Sequence, residues 1–461
     1  MVFVVLRGVF ALLAIAVLGL LVTGWTIRRH PFRSLPARLA FAYLIGAAVM
    51  TWLLIVYTEL SGRLSIWPVY ILIAVLLPGW RRAWQFLITT SDTADLSEKP
   101  SSFSRWEWLL AAMIAASILI VIERLLLVRI SWDGYAQWQL RAKAFFLDGD
   151  FSILGDPAHY VHLDYPLLVP LNAWWVYAHL GAVNDHWSQV IGLVFYLDLL
   201  ALFGDAALAA ADRTYALAAL AIVASAPVVI KHAASGYADI EFAVYFLGLA
   251  IALTWWLKAP TIERFWAPAW MIASIVLVKN EGLLAAAGSV WTTFIFARHS
   301  RLKSAPLIAS AVGFLPWVVA RWHWRLSTPL LHAIGPRLLN WPVTLSRLLR
   351  VTTEMIIQAA RIGPAYPAWG LFLLLAVTGV LMWWKHKNRE ALMLAWLVVI
   401  QFAGYSAIIT LAPYSVHALL ISTSDRLTLH LFPAILLIAL MSSYSFDAAA
   451  ARLPAESEGA A

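Results

Sequence analysis

The 461-residue chain contains no cysteine. Disulfides and thiolate metal sites are therefore excluded, and the redox character of its compartment leaves no trace in the sequence. Charge is also scarce. Only 13% of residues are charged, against about 25% in a soluble domain. Acids are the rarer sign, with 25 Asp and Glu against 33 Lys and Arg, a formal charge of +8. No polar stretch is long enough for a soluble domain, and there is no internal sequence repeat. What is present is apolar: 62% of the chain is hydrophobic, with 25 Trp and 15 Tyr suited to the aromatic belts of a bilayer interface. The basic excess clusters in short loops between apolar runs, which points to membrane topology rather than nucleic-acid binding.

A bilayer-spanning helix needs roughly 17–25 apolar residues. Such runs lie near 2–26, 38–60, 65–80, 106–128, 187–207, 214–231, 237–257, 264–279, 281–298, 304–322, 366–384, 391–412 and 427–446. The expectation is an all-α polytopic membrane protein of about 13 helices, because open strands in lipid would leave backbone groups unpaired. The first run is too long for a signal-peptide core and reads as a retained helix. Three helices within 1–90 precede a polar linker, 91–105, then a transmembrane module, 106–446, and a tail, 447–461. The densest basic loops are "TIRRHPFR", "PGWRRAW", "ARHSRLK" and "WWKHKNRE". Placing them in the cytoplasm puts the N-terminus outside, the C-terminus inside, and segments 129–186 and 323–365 outside an inner (plasma) membrane. "PLLVPLNAWWVYAHLG" (166–181) reads as a re-entrant or interfacial helix. Residues 337–361 read as an amphipathic interfacial helix, with Arg347, Arg350, Glu354 and Arg361 opposite Leu345, Leu349 and Ile356.

Polar residues at the ends of apolar runs need a reason, since burying them costs several kcal/mol unless pairing or function offsets it. The expected topology puts all such clusters on the outer side. "SWDGYAQWQLRAKAFF" carries Asp133, Arg141 and Lys143; "DPAHYVHLDYPLL" carries Asp156, His159, His162, Asp164 and Tyr165. "KHAASGYADIEFAVYF" carries Asp239 and Glu241, "VLVKNEGLL" carries Lys279, Asn280 and Glu281, and "STSDRLTLHLFP" carries Asp425, Arg426 and His430. Together they suggest one polar cavity opening outward. Carboxylates offer a base or a divalent-metal site. Lys279, Arg426 and Lys143 offer phosphate partners. Asp133 reads as the end of a span, where an acid faces the negative end of the helix dipole; Arg426 reads as a helix start, where a cation is misplaced. Asp164 also fits as a cap for the helix after Tyr165 and Pro166. The pair His159 and His162 reads more readily as structural than as a zinc site.

The ordered set of these motifs resembles the GT-C superfamily of membrane glycosyltransferases, in the branch of protein O-mannosyltransferases and aminoarabinose transferases. Asp133 matches the outer acid after the first module helix. "GYAQWQLRAKAFFLDGD" and "DYPLLVPLNAWWVYAHLGA" match two interfacial helices of the first outer loop. "GYADIEFAVYFLGLA", "VKNEG" and "SDRLTLHLFP" match the later acidic helix start, the "TKG" turn and a basic late helix. The likeness covers about 106–446. It departs in the three preceding helices and in an acidic doublet reduced to Asp133-Gly134. It implies a polyprenyl-phosphate sugar donor and inverting transfer outside the membrane to a lipid, glycan or protein acceptor. Asp133 would be the base and Lys279 and Arg426 would hold the phosphate. His162, Asp164, Tyr165, Asp239 and Glu281 would contact sugar or acceptor. Two rivals stand beside this expectation: a lipid-glycan polymerase or ligase, and a secondary transporter, which would show repeats and midplane polar residues.

Overall fold

The computed structural model describes residues 2–89, 102–156, 162–326, 329–360 and 388–444. The expected span 366–384, His159, most of the linker and the tail lie outside the described residues. Within them the chain is helical, without strands. Nine helices are long and apolar enough to cross a membrane, ten if one bent pair counts as a span. The chain is a multi-pass membrane protein.

The helices are α1 (Val2–Thr26), α2 (Leu35–Ser61), α3 (Trp67–Leu76), α4 (Trp80–Ile88), α5 (Arg105–Leu127), α6 (Leu140–Asp148), α7 (Leu168–Leu180), α8 (Asp185–Ala210) and α9 (Arg213–Ser225). There follow α10 (Pro227–Ala233), α11 (Asp239–Lys258), α12 (Ile262–Ile275), α13 (Gly282–Phe296), α14 (Ala305–His323), α15 (Pro329–Leu339), α16 (Trp341–Ala360), α17 (Arg389–Leu411) and α18 (Val416–Tyr444). Pro227 bends the α9–α10 pair by 57°. Glycine sets the tightest crossing. Gly19 and Gly46 let α1 and α2 meet backbone to backbone, where any Cβ would strike a carbonyl of the other helix.

Polar contacts sort the helix ends into two groups. At one end Asp205 accepts from the backbone N–H of Arg33 and of Ser34, at 3.1 and 2.5 Å. There too Arg213 pairs with Glu107 at 2.8 Å and Lys258 with Glu390 at 2.6 Å. Glu107 also closes a capping box with Ser104 that starts α5. These contacts gather described parts of the basic loops. At the other end the Leu64 N–H donates to Gly149 (2.7 Å), Arg7 to the Leu180 carbonyl (3.4 Å), and the Trp324 indole to Glu59 (2.9 Å). The segment 129–156 and the turn between α12 and α13 sit at this second end. The two ends carry opposite jobs: one holds the basic loops, the other the polar clusters.

Several expected elements differ. The runs 264–279 and 281–298 fold as helices of only 14 and 15 residues, joined by the turn at Lys279. Of the re-entrant and interfacial readings of segment 166–181, its burial fits the re-entrant one. Its core, α7, is buried among α1, α2, α6 and α8, with the Trp175 indole donating to the Ala11 carbonyl at 2.9 Å. Its residues are apolar on every side, so they suit an interior. The expected basic face of α16 is split: Arg350 is exposed beside Leu349, whereas Arg347 turns inward. Val351 and Met355 are buried against α17 and α18, and Arg347 donates to the Ala412 and Tyr414 carbonyls at 3.1 and 2.6 Å. Leu345, Leu349 and Ile356 face outward instead, as helix surfaces do in lipid.

Candidate functional site

The polar clusters converge from elements far apart in sequence. The chain leaves α5 at Leu127 and extends through Val128, and the Ser131 N–H donates to the Ser235 carbonyl at 3.0 Å. A new helix then starts, with Asp133 in its first turn and a π-helical turn at Gly134–Gln139. Asp133 is therefore at a helix N-terminus, where its charge is favoured, and not at a helix C-terminus as the hydropathy implied. π-turns of this kind concentrate at functional sites. The Asp133 N–H donates to Tyr237 Oη at 3.3 Å.

Asp133 and Arg426 form an ion pair across the cleft. Arg426 lies well inside α18, eleven residues from its start if Val416 is the first, so it does not begin a helix. Hydropathy hides this because Ser422–Arg426 interrupt the apolar run while the helix continues through them. The Arg426 guanidinium lies 5.4 Å over the Tyr237 ring, and its Nε is buried with no protein partner. Its neighbour Asp425 pairs with Lys231 at 3.2 Å.

Deeper in, Asp239 opens α11 and accepts from Lys279 Nζ at 2.8 Å. His430 Nε2 lies 3.0 Å from the same oxygen, and the other His430 nitrogen meets Tyr405 Oη at 2.8 Å. His232 Nδ1 is 3.6 Å from the second Asp239 oxygen. Lys279 also lies 3.6 Å from Glu281, whose carbonyl accepts from Gln401 at 3.2 Å. The Asp239 side chain is 2% exposed and that of Asp133 32%. The inner pair is closed off, and the outer one can be reached.

A third group lines the wall. Asn280 donates to Asp164 at 2.8 Å, so Asp164 binds the α12–α13 turn and does not cap α7, whose N-cap position is Leu167. Arg141 donates to the Tyr165 carbonyl at 2.8 Å and stacks on Trp138. Burial pushes the Arg141 guanidinium down to about 10, opposed by Asp164, and drives the Tyr165 phenol far above its usual range. Burial likewise lowers His162, despite Asp164, Asp133 and Glu281 nearby. His162 also holds a left-handed backbone, φ 58°. Such conformations are costly outside glycine and gather at functional sites.

Four acceptor atoms in this region are buried without a protein partner: Asp164 Oδ1, Asn280 Oδ1, Glu281 Oε2 and Gln401 Oε1. Buried polar atoms are nearly always satisfied, so such a group fits a ligand rich in hydroxyl donors.

Of the expected residues, Asp133 and Arg426 form one group and Asp239, Lys279 and Glu281 another; Tyr237 of the first lies 5.4 Å, ring to ring, from His232 of the second, with His162, Asp164 and Tyr165 alongside. Lys143 does not join them. It pairs with Asp185 at 2.9 Å and sits over the Tyr135 ring. Among the described residues no three His, Asp or Glu side chains converge as a metal site. Lys279 takes the place beside Asp239 that a cation would take. Sequence reasoning missed Gln401 and Tyr405, although a Gln and a Tyr inside the apolar run 391–412 were the available signal. It also missed His232 and Tyr237 as partners of the site.

No protein-family model matches the chain, and no curated protein or solved structure matches it either.

Proposed function

We propose that the chain is an inverting membrane glycosyltransferase of the GT-C type, moving one sugar from a polyprenyl-phosphate donor to a hydroxyl-bearing acceptor. The observation that carries this reading is the reachable Asp133–Arg426 pair beside four unpartnered buried acceptors. An acid for the acceptor, a cation for the phosphate and a set of acceptors for sugar hydroxyls stand together at one end of the bundle. The charge rule assigns that end to the outer face of an inner membrane, with the basic loops in the cytoplasm.

In this reading Asp133 takes the proton of the acceptor hydroxyl. The hydroxyl oxygen forms its bond to the anomeric carbon as the bond from that carbon to the phosphate oxygen breaks. The polyprenyl phosphate leaves with the electron pair. Arg426 meets the growing phosphate charge with the N–H groups it does not give to Asp133. Lys279 contributes at longer range from its pairing with Asp239. Asp164, Asn280, Glu281 and Gln401 accept from the sugar, and His162 and Tyr165 flank it. The family expectation of 13 spans belongs to this same reading.

The test is transfer by purified protein in lipid vesicles, supplied with polyprenyl-phosphate hexoses and pentoses and read by mass spectrometry. Wild type should transfer or hydrolytically release one of these sugars. Asp133→Asn should be slower by at least about a hundredfold, the usual cost of losing a general base. Inert folded wild-type protein across the donor panel overturns the reading, and near-normal turnover in Asp133→Asn moves the base elsewhere.

One observation favours a proton-coupled transporter instead. Asp198 lies halfway along α8, is 8% exposed and leaves Oδ2 unpartnered. Intramembrane acids of this sort often mark ion paths. Sugar-driven proton uptake into protein-containing vesicles would support that second reading.

A further inference from the structure

The end of the bundle that carries the basic loops holds a separate cavity of about 410 Å³, where the close of α1 meets α4. Its walls include Trp25, Arg28, His30, Arg82, Gln85 and Thr89. Among the described residues, the two charged members of the lining are both cations and no carboxylate lines the cavity. Glu263, whose charge reaches Arg28 and Arg29, stays outside the lining.

The cavity is built into the fold. Gly24 admits the α4 backbone and Gly79 admits the Trp25 ring; a side chain at either position would collide with them. The Trp25 indole donates to the Leu76 carbonyl at 3.1 Å, which fixes the ring. The Arg82 guanidinium lies over that ring, 4.2 Å from its centre. Stacking holds the plane of the guanidinium and leaves its N–H edge free to grip a phosphate. His30 is 3% exposed and set edge-on to Phe86 at 4.9 Å. On the other side of α4, Trp80, Trp84 and Ile88 are each more than half exposed. Exposed tryptophans beside a basic pocket at a helix end match headgroup depth, with room for acyl chains alongside.

We propose that this cavity binds the phosphate of an anionic phospholipid in the adjacent leaflet. The chemistry is a phosphate gripped by Arg28 and Arg82. The exposed apolar side of α4, on the same short helix as Arg82, places the cavity at headgroup depth and selects a lipid as its source over free phosphate. The inference stands apart from the function proposed above and from its site at the opposite end.

The test uses the full chain in detergent, titrated separately with phosphatidylglycerol, phosphatidylcholine and inorganic phosphate. Native mass spectrometry reads bound lipid, and thermal unfolding reads stabilisation. Phosphatidylglycerol should bind saturably and raise the unfolding midpoint, while the other two do neither. A basic residue near an anionic surface is worth about 1 kcal/mol. Removing two in Arg28→Gln/Arg82→Gln should therefore weaken phosphatidylglycerol binding roughly 30-fold. Equal binding of phosphatidylcholine overturns the proposal, as does undiminished binding in the double variant. Stabilisation by phosphate alone shows a free-anion site and removes the lipid assignment. If the double variant does not fold, the exposed Arg28→Gln alone should weaken binding about fivefold, and unchanged affinity there counts against the site.

Discussion

Asp239 and Lys279 neutralise one another in the interior, and neither could be there alone. Removing one member of a buried pair leaves an uncompensated charge, at a cost of about 3–5 kcal/mol. Lys279→Met should therefore lower stability by about that amount, measured by unfolding in detergent. Adding Asp239→Asn to it should recover a large part of the loss. His162 gives a pH signature. Burial lowers its folded proton affinity, so the unfolded chain binds a proton that the folded chain refuses. The stability conferred by the neutral ring is complete above about pH 6.5 and is lost as pH falls below that. The midpoint drop between pH 7.5 and pH 5 should be larger in wild type than in His162→Gln; equal drops would contradict this. At this scale the sequence was informative wherever a polar residue stood at the edge of an apolar run. Asp133, Asp239, Lys279 and Arg426 stood out because burying them without partners is expensive. Their partners were not legible. Nothing local links Tyr405 to His430, or Tyr237 to Asp133, since those distances exist only after packing.

Element boundaries were read less well, for a physical reason. Hydropathy runs on through Val128 and Ile130, but the backbone extends there to meet Ser235. The run therefore does not reveal that a second helix begins just before Asp133. Gly134 makes that junction possible. A Cβ at Gly134 would lie 2.6 Å from the Ser235 carbonyl oxygen and 2.6 Å from Ile130 Cγ2. Gly134→Ala should push the Asp133 turn away from the α10–α11 connection. The chain should still insert, since no span contains the change, but turnover should fall tenfold or more, as misplacement by about 1 Å commonly costs such factors. Normal turnover with normal expression would show that the close approach is dispensable. For α16 the expected faces hold only in part: Leu345, Leu349 and Ile356 share an exposed side, but Arg350 joins them while Arg347 turns inward. An Arg–Glu stripe reads as a wet face only in water; here Arg347 answers the open carbonyls at the end of α17.

For the whole molecule, basic-loop counting separated the two ends that the contacts also separate. The proposal that the basic-loop end meets the cytoplasm rests on the charge rule alone, and cysteine labelling tests it directly in this cysteine-free chain. Ser152→Cys should react with an impermeant maleimide on intact cells, and Ser300→Cys only after lysis. Labelling of Ser300→Cys alone would invert the topology. The described residues hold nine apolar helices of spanning length, ten with the bent pair, and leave out the expected span 366–384, so the count of 13 stays an expectation. Fourteen- and fifteen-residue helices such as α12 and α13 look like full spans when their flanking turns are also apolar.

The pairing of Asp133 with a residue 293 positions later sets a timetable for biosynthesis. At about 5–20 residues per second, Arg426 is made some 15–60 s after Asp133. Lys279 follows Asp239 by only 40 residues, a matter of seconds. The inner pair is thus ready early, while the outer acid waits for the last helix. A ribosome stalled just before α18 should leave a chain already inserted, with Asp239 matched to Lys279 and Asp133 still unmatched. The Asp133 end of the bundle is completed only once α18 is made, so a copy terminated before Arg426 is born without that pair.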